Sequence, residues 1–104
     1  MSAEISLLHG RAKEAFDRDP CVADSPAQLG DCARGRLASA GFEARDLAYL
    51  DANVDPAESP ERARFLRVEA KYGESPDKHI FTFAILKSAG KYKLLWLQSA
   101  VATK

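Results

Sequence analysis

The sequence is poor in the residues that most often carry catalysis or bind metals. It holds two histidines, His9 and His79, and two cysteines, Cys21 and Cys32. Neither histidine lies in a pattern typical of a nucleophile or a metal site. Two cysteines without a nearby histidine do not make a zinc set. We therefore expect no catalytic residue, no metal and no cofactor, and a non-enzymatic function is favoured.

Long hydrophobic runs are also missing. No stretch comes near the ~18 apolar residues that mark a membrane helix. The N-terminus is polar and acidic, unlike a secretory signal peptide. These features predict no membrane span. Two locations stay open: the cytoplasm, or the periplasm if a signal peptide preceded this sequence and was removed.

An overall charge of one sign is missing too, because 15 basic and 15 acidic residues balance. Residues 1–61 carry six Lys or Arg against twelve Asp or Glu, and residues 62–104 carry nine against three. An acidic helical layer beside a basic sheet edge accounts for this, and a basic sheet surface offered to an anionic partner is the alternative. Nucleic-acid binding is not expected, because Tyr92 is the one aromatic residue interleaved with lysines.

The two cysteines have ten residues between them. In an exported protein they would form one disulfide, worth about 3 kcal/mol in the chain-entropy picture. In the cytoplasm they would be ordinary, half-buried thiols. Both readings stay open, but we expect the segment from Cys21 to Ser25 to fold back so that Cys21 and Cys32 come close enough to pair.

Length and composition predict one domain. The chain has 104 residues and 46% hydrophobic residues, enough for a core of its own. We divide it into a helical part (1–54), a linker with two prolines (55–61) and a sheet part (62–101).

Helix signals dominate the first half. Ser2 is suited to cap a first helix, which Asp19-Pro20 ends. Ser25-Pro26 begins a second helix with a capping residue before a first-turn proline, and Gly41 is its expected stop. We expect a short third helix from Glu43 to Leu50, with its leucines inward.

Strand signals dominate the second half. The segment from His79 to Lys87 is rich in β-branched and aromatic residues and contains no Gly or Pro. It is apolar on both faces, which is typical of a central strand covered on both sides. The segment Arg62 to Tyr72 also alternates as a strand does, and a hairpin needs such a partner. The alternative is a helix that begins at Ser59-Pro60 and ends at Gly73.

A return strand from Lys91 to Val101 completes the hairpin. Tyr92, Leu94 and Trp96 fall on one side of it, and Leu95 and Leu97 fall on the other. The turn Ser88-Ala89-Gly90 predicts a three-residue loop with Gly90 in the left-handed conformation. A two-residue loop would shift the register by one residue and exchange the facing sets.

These patterns predict an α+β fold with N-terminal helices packed on a C-terminal antiparallel meander of three or more strands. The aromatic residues of the sheet, which more often form core, also make the candidate binding set: Phe81, Phe83, Tyr92, Trp96 and Leu97. Too little sequence remains to cover both faces of the hairpin, so we expect a twofold homodimer or a protein partner. A sheet curled around one helix, which would be monomeric, is the alternative.

The strand segments Phe65 to Tyr72 and Ile80 to Leu86, and the turn Gly90-Lys91-Tyr92-Lys93-Leu94, resemble the nuclear-transport-factor-like (SnoaL-like) group of cone-shaped α+β folds. In that group a glycine-lysine-aromatic turn commonly leads into the last strand. The resemblance covers about forty residues. It implies a cone that can enclose a pocket, and catalytic members would place Asp, His or Tyr there. Three functions therefore stay open: a binding or accessory domain of bacterial type, a small inhibitor or immunity-type protein, and a pocket enzyme that takes a small ligand.

Overall fold

The computed structural model describes residues 3–50 and 64–102. The helices are α1 (Ala3–Arg18) and α2 (Pro26–Ser39). The strands are β1 (Val22–Ala23), β2 (Phe42–Leu50), β3 (Phe65–Tyr72), β4 (Lys78–Ser88) and β5 (Lys91–Ala102). They form one curled antiparallel sheet, a half-barrel, in the order β1-β5-β4-β3-β2. The expected α+β class is confirmed. The linker predicted at 55–61 lies outside the described residues.

The predicted helix boundaries are confirmed where the structure describes them. Helix α1 ends at Arg18, immediately before Asp19-Pro20. At the start of α2, the Ser25 side chain accepts a hydrogen bond from the Gln28 N–H, and Pro26 occupies the first turn. Gly41 follows the end of α2 with a φ of 91°, a conformation that favours glycine.

The expectation of a third helix from Glu43 to Leu50 is wrong, because these residues belong to strand β2. The strand pairs with β3 from Phe42 opposite Tyr72 to Leu50 opposite Phe65. Alanine and leucine in this segment suit a helix, but local propensity is weak beside a ladder of cross-strand pairs that is interrupted only by a bulge at Arg45. The part expected to be helical, 1–54, therefore includes both edge strands of the sheet, β1 and β2.

The alternation predicted for residues 62–72 is confirmed from Phe65 onward. Leu66, Val68 and Ala70 of β3 are buried on the helix-covered side of the sheet. The same side of β4 carries Phe81 and Phe83, both 0% exposed. Helices α1 and α2 pack over these residues, so the core lies between the two helices and this one face.

The β4–β5 turn is shorter than expected. Ser88 pairs with Lys91, so the loop consists of Ala89 and Gly90 alone, with φ angles of 52° and 79°. Two positive φ angles match the tight hairpin turn whose twist suits the flanking strands. The expectation of a three-residue loop is therefore wrong. The register set by the two-residue loop places Trp96 opposite Phe83 on the core side.

Cys21 and Cys32 form a disulfide, with 5.8 Å between their α-carbons. The prediction that they approach closely enough to pair is confirmed. The Cys21 carbonyl also accepts a hydrogen bond from the Leu94 N–H, and Val22 pairs with Lys93. The disulfide therefore joins α2 to the short strand β1, which is itself fixed to β5. In the residues the structure describes, neither helix has the length and apolar character that crossing a membrane requires.

Candidate functional site

The two faces of the sheet differ in their cover. Helices α1 and α2 lie on the inner face, and the outer face has no helix of the described residues against it. Four large apolar side chains of the outer face are about half exposed: Val22, Leu86, Leu95 and Leu97. Strand β4 is central in the sheet, as expected, but the helices of the described residues cover only one of its sides.

The register aligns part of this outer face into a continuous apolar row. Leu50 pairs with Phe65, Phe65 with Ala84, and Ala84 with Leu95. Directly paired residues point to the same side of a sheet, so these four side chains lie side by side across four strands. We call them the apolar row. Leu95 is 48% exposed, although its neighbours in the sequence, Leu94 and Trp96, face the core.

Two further rows of the outer face are more polar, and their charges are confined to one half of it. The row next to the apolar row is Ala48, Arg67, Thr82 and Gln98; the following row is Asp46, Glu69, Ile80 and Ala100. All charged members stand on β2 and β3, whereas the members on β4 and β5 carry no charge.

A cleft of about 390 Å³ lies at the far end of the outer face, beside the β3–β4 turn. Its charged lining side chains have both signs: Arg45, Glu69, Lys71, Glu74, Asp77 and Lys78. A second cleft of about 520 Å³ lies between α1 and the end of α2, lined by Arg11, Arg18 and Tyr72 among others. An enclosed pocket beside Trp96 would have favoured an enzyme. Trp96 lines neither of these two clefts.

The predicted binding residues are divided between core and surface. Phe81 and Phe83 are fully buried, and the Trp96 ring packs against both of them. Tyr92 is half-buried beneath the Lys87 ammonium group, which lies 5.3 Å from its ring centre. Leu97 is 46% exposed on the outer face. Of the five, Leu97 is therefore the side chain best placed to touch a partner.

A buried polar chain, missed in the sequence, connects α1 to the sheet. His9 Nδ1 lies 2.8 Å from Ser99 Oγ, and His9 Nε2 lies 2.8 Å from His79 Nδ1. Both imidazoles are only 3% exposed. Phe42 and Phe81 pack against the His9 ring with centroid distances of 5.8 and 5.0 Å. We call His9, His79 and Ser99 the histidine chain.

The environment of the histidine chain favours neutral imidazoles. Burial, and then the proximity of His79, lowers the pKa of His9 to about 4. Burial also lowers the pKa of His79, against the opposing effect of the Asp77 carboxylate. Among the described residues, no group of three or more His, Cys, Asp or Glu side chains could hold a metal ion.

The sequence did contain a signal for this chain. His9 falls among the apolar stripe of α1, one residue after Leu8 and three before Ala12. His79 shares its alternation with Phe81 and Phe83, the inward side of β4. Both positions therefore indicated burial, but residues seventy positions apart gave no indication that they would meet.

Comparison with protein-family models, with curated proteins and with solved structures finds no match to this chain. The architecture itself defines an α+β domain whose two helices cover one face of a curled five-stranded sheet.

Proposed function

We propose that this protein is a non-enzymatic binding domain that acts through the outer face of its sheet, and that its partner there is a second copy of the same chain. The observation that carries the proposal is the apolar row. Large exposed apolar patches on soluble proteins usually mark interaction sites. Here the register, rather than chance scatter, collects Leu50, Phe65 and Leu95 on one face.

The dimensions of the face suit a weak dimer. With strands about 4.8 Å apart and residues of one side about 6.8 Å apart along a strand, the three rows on four strands span about 19 by 20 Å. That is roughly 400 Å² of sheet from each copy, in the range of weak and transient contacts. A dimer that forms in the micromolar range is the expected result.

The order of large and small side chains across the apolar row favours a second copy of the chain as the partner. A twofold axis in the interface parallel to the strands would lay each apolar row on its counterpart with the strand order reversed. Leu50 would then face the second copy's Leu95, and Phe65 would face its Ala84, so that a large side chain meets a small one. Packed sheets with nearly aligned strands are a common arrangement.

The charges are compatible with the same axis. Within the three rows described above, the charged members on β2 and β3 would lie over the uncharged members on β4 and β5 of the second copy. Arg67 would face a threonine, and Glu69 would face an isoleucine. No like charges would be brought directly opposite each other in these rows, so the arrangement avoids the repulsion that opposes most self-association.

Sedimentation equilibrium between about 1 and 300 μM tests the proposal. The native chain should show a concentration-dependent dimer, and Leu95→Glu should abolish it because a carboxylate would be buried in the apolar row. Leu7→Glu is the matched control: Leu7 is 69% exposed but lies on α1, on the opposite side of the sheet. A native chain that stays monomeric throughout this range would overturn the dimer.

The other two functions have less support. A small inhibitor or immunity-type protein would use the same exposed face, and a monomeric chain that still needed Leu95 for a partner would favour it. A pocket enzyme needs space beside its acid or base, but aromatic rings fill the surroundings of His9 and His79. The resemblance to the nuclear-transport-factor-like group stays a proposal, supported by the curled sheet and by the short strand β1 between the helices.

A further inference from the structure

The histidine chain is a polar connection between α1 and the sheet in an otherwise apolar contact. His9 stands on α1, His79 on β4 and Ser99 on β5. Within residues 3–50 and 64–102, two hydrogen bonds join a side chain of α1 to a side chain of the sheet, and both are made by His9. The remaining contact is apolar packing, such as that of Phe16 against Phe83.

The order serine, histidine, histidine resembles that of a hydrolase triad, but the surroundings oppose catalysis. Ser99 sits within the β4–β5 ladder, directly paired with Phe81. Phe42, Tyr72 and Phe81 pack around the two imidazoles, so no reacting group could approach.

The two imidazoles can share their hydrogen bond only while at least one of the facing nitrogens lacks a proton. In the neutral pair, either His9 Nε2–H donates to His79 Nδ1, or His79 Nδ1–H donates to His9 Nε2. A first added proton would place a charge among aromatic rings. A second would leave two N–H donors facing each other across 2.8 Å.

Few groups around the chain can compensate an added charge. On the turn before β4, Asp77 is the carboxylate whose charge acts on His79. On β3, the Tyr72 phenol ring lies 6.4 Å from the His79 ring. The residues that face the pair from β2, β4 and β5, namely Phe42, Phe81 and Ser99, are uncharged, and neither imidazole is hydrogen-bonded to a carboxylate in the described part of the chain.

The disulfide of the chain does not include α1. The covalent bridge begins at Cys21, after the end of α1 at Arg18. Strand β1 and helix α2 are held by this disulfide and by the pairing of β1 with β5. Loss of the α1 contact therefore does not require the sheet or α2 to separate.

We propose that the histidine chain is a proton-operated latch, which holds α1 on the sheet at neutral pH and weakens its docking as the solution becomes acidic. In the docked state His9 resists protonation, with a pKa of about 4, whereas in a released α1 it would titrate near 6.5. Linkage between these two states raises the population of released α1 about thirtyfold between pH 8 and pH 5 through His9 alone.

Hydrogen exchange at single amides tests the latch between pH 7 and pH 4.5. Protection factors of α1 amides should fall at least tenfold across this range, while amides of β4 stay protected. The fluorescence of Trp96, whose ring centre lies 5.9 Å from that of Phe16 on α1, should change over the same interval.

Two variants keep the result interpretable. His9→Phe combined with His79→Phe replaces both titrating rings with aromatic rings that suit the cluster, and its α1 protection should not depend on pH above 4.5. Asp77→Asn leaves the core unchanged and removes the charge that favours protonated His79 in the docked state, so docked His79 resists protonation more strongly and the release of α1 should move to higher pH. The Asp77→Asn result decides the question if the double variant does not fold.

Three outcomes would overturn the latch. The first is that the α1 amides of the native chain keep their protection down to pH 4.5, and the second is that they lose it together with those of β4 in one global unfolding. An unchanged transition in Asp77→Asn, or in a folded double variant, would show that other groups are responsible.

Discussion

The hydroxyl group of Tyr49 on β2 lies where a β-carbon on Gly30 of α2 would have to be. The same β-carbon would lie only 2.9 Å from Leu47 Cδ2. Gly30 is buried, so α2 and β2 approach each other closely at this residue. The close approach also contributes to the burial that raises the pKa of the Tyr49 phenol.

We expect Gly30→Ala to lower the free energy of unfolding by about 1–3 kcal/mol, because the added methyl group overpacks the α2–β2 contact. Gly35→Ala is the matched control on the same helix. A β-carbon there meets nothing within 4 Å, so alanine should raise stability by about 0.5–1 kcal/mol. Urea denaturation measures the free energy of unfolding of both variants. A Gly30→Ala variant as stable as the Gly35→Ala variant would contradict the close contact. Adding Tyr49→Phe to Gly30→Ala should recover part of the loss.

The tight turn between β4 and β5 offers a stabilising change. Ala89 has a φ of 52°, which costs an alanine roughly 1 kcal/mol or more, whereas asparagine tolerates it and is common before glycine in such turns. Ala89→Asn should raise the free energy of unfolding by about 0.5–1 kcal/mol. Ala38→Asn, at an exposed helical position, should instead lower it slightly. Thermal unfolding of the pair tests the difference in sign.

Removal of the disulfide should cost stability without changing the fold. Replacing Cys21 and Cys32 with alanine should lower the free energy of unfolding by about 2–4 kcal/mol, since the short loop between them is then free in the unfolded chain. Reductant should lower the melting temperature of the native chain to that of the variant and leave the variant unaffected. Titration of the unreduced, unfolded protein should find no free thiol, and two thiols per chain would contradict the bond.

Global stability should also depend on pH through the histidines. Because the folded-state pKa of His9, about 4, lies below its unfolded value, its contribution is fully present above pH ~6.5 and is lost as the pH falls toward 4. Between pH 7 and pH 5, the free energy of unfolding should fall by about 2 kcal/mol through His9. Urea midpoints at the two pH values measure it. A folded His9→Phe/His79→Phe variant should lose much less, and an equal loss would assign the effect to carboxylates.

Much of the fold could be predicted from local signals. The capping residues and prolines around α2 set its beginning, and alternation located β3, β4 and β5, with Leu95 on the side opposite Leu94 and Trp96. Strand β2 could not be found in this way, because Leu47 and Leu50 have a spacing that suits a helix. Only the pairing of this segment with β3, a contact made in three dimensions, decides in favour of a strand.

The candidate site was predicted less completely. Leu97 was correctly expected on the side opposite Trp96, but the apolar row depends on a register that the two-residue turn sets. A shift of one residue would have moved Leu95 to the core. The histidine chain depends on how α1 is seated over β4 and β5, which no pattern along the sequence specifies.

The pairing of β1 with β5 has a consequence for the order of folding. Strands β3, β4 and β5 are neighbours both in the sequence and in the sheet, so their contacts close short loops. Val22 and Lys93 lie near opposite ends of the chain, and joining them requires most of the chain to be closed into a loop. Contacts of such long separation slow folding. We therefore expect the hairpins to form first and the N-terminal edge to join the sheet late, so that amides of β4 gain protection before those that β1 covers on β5.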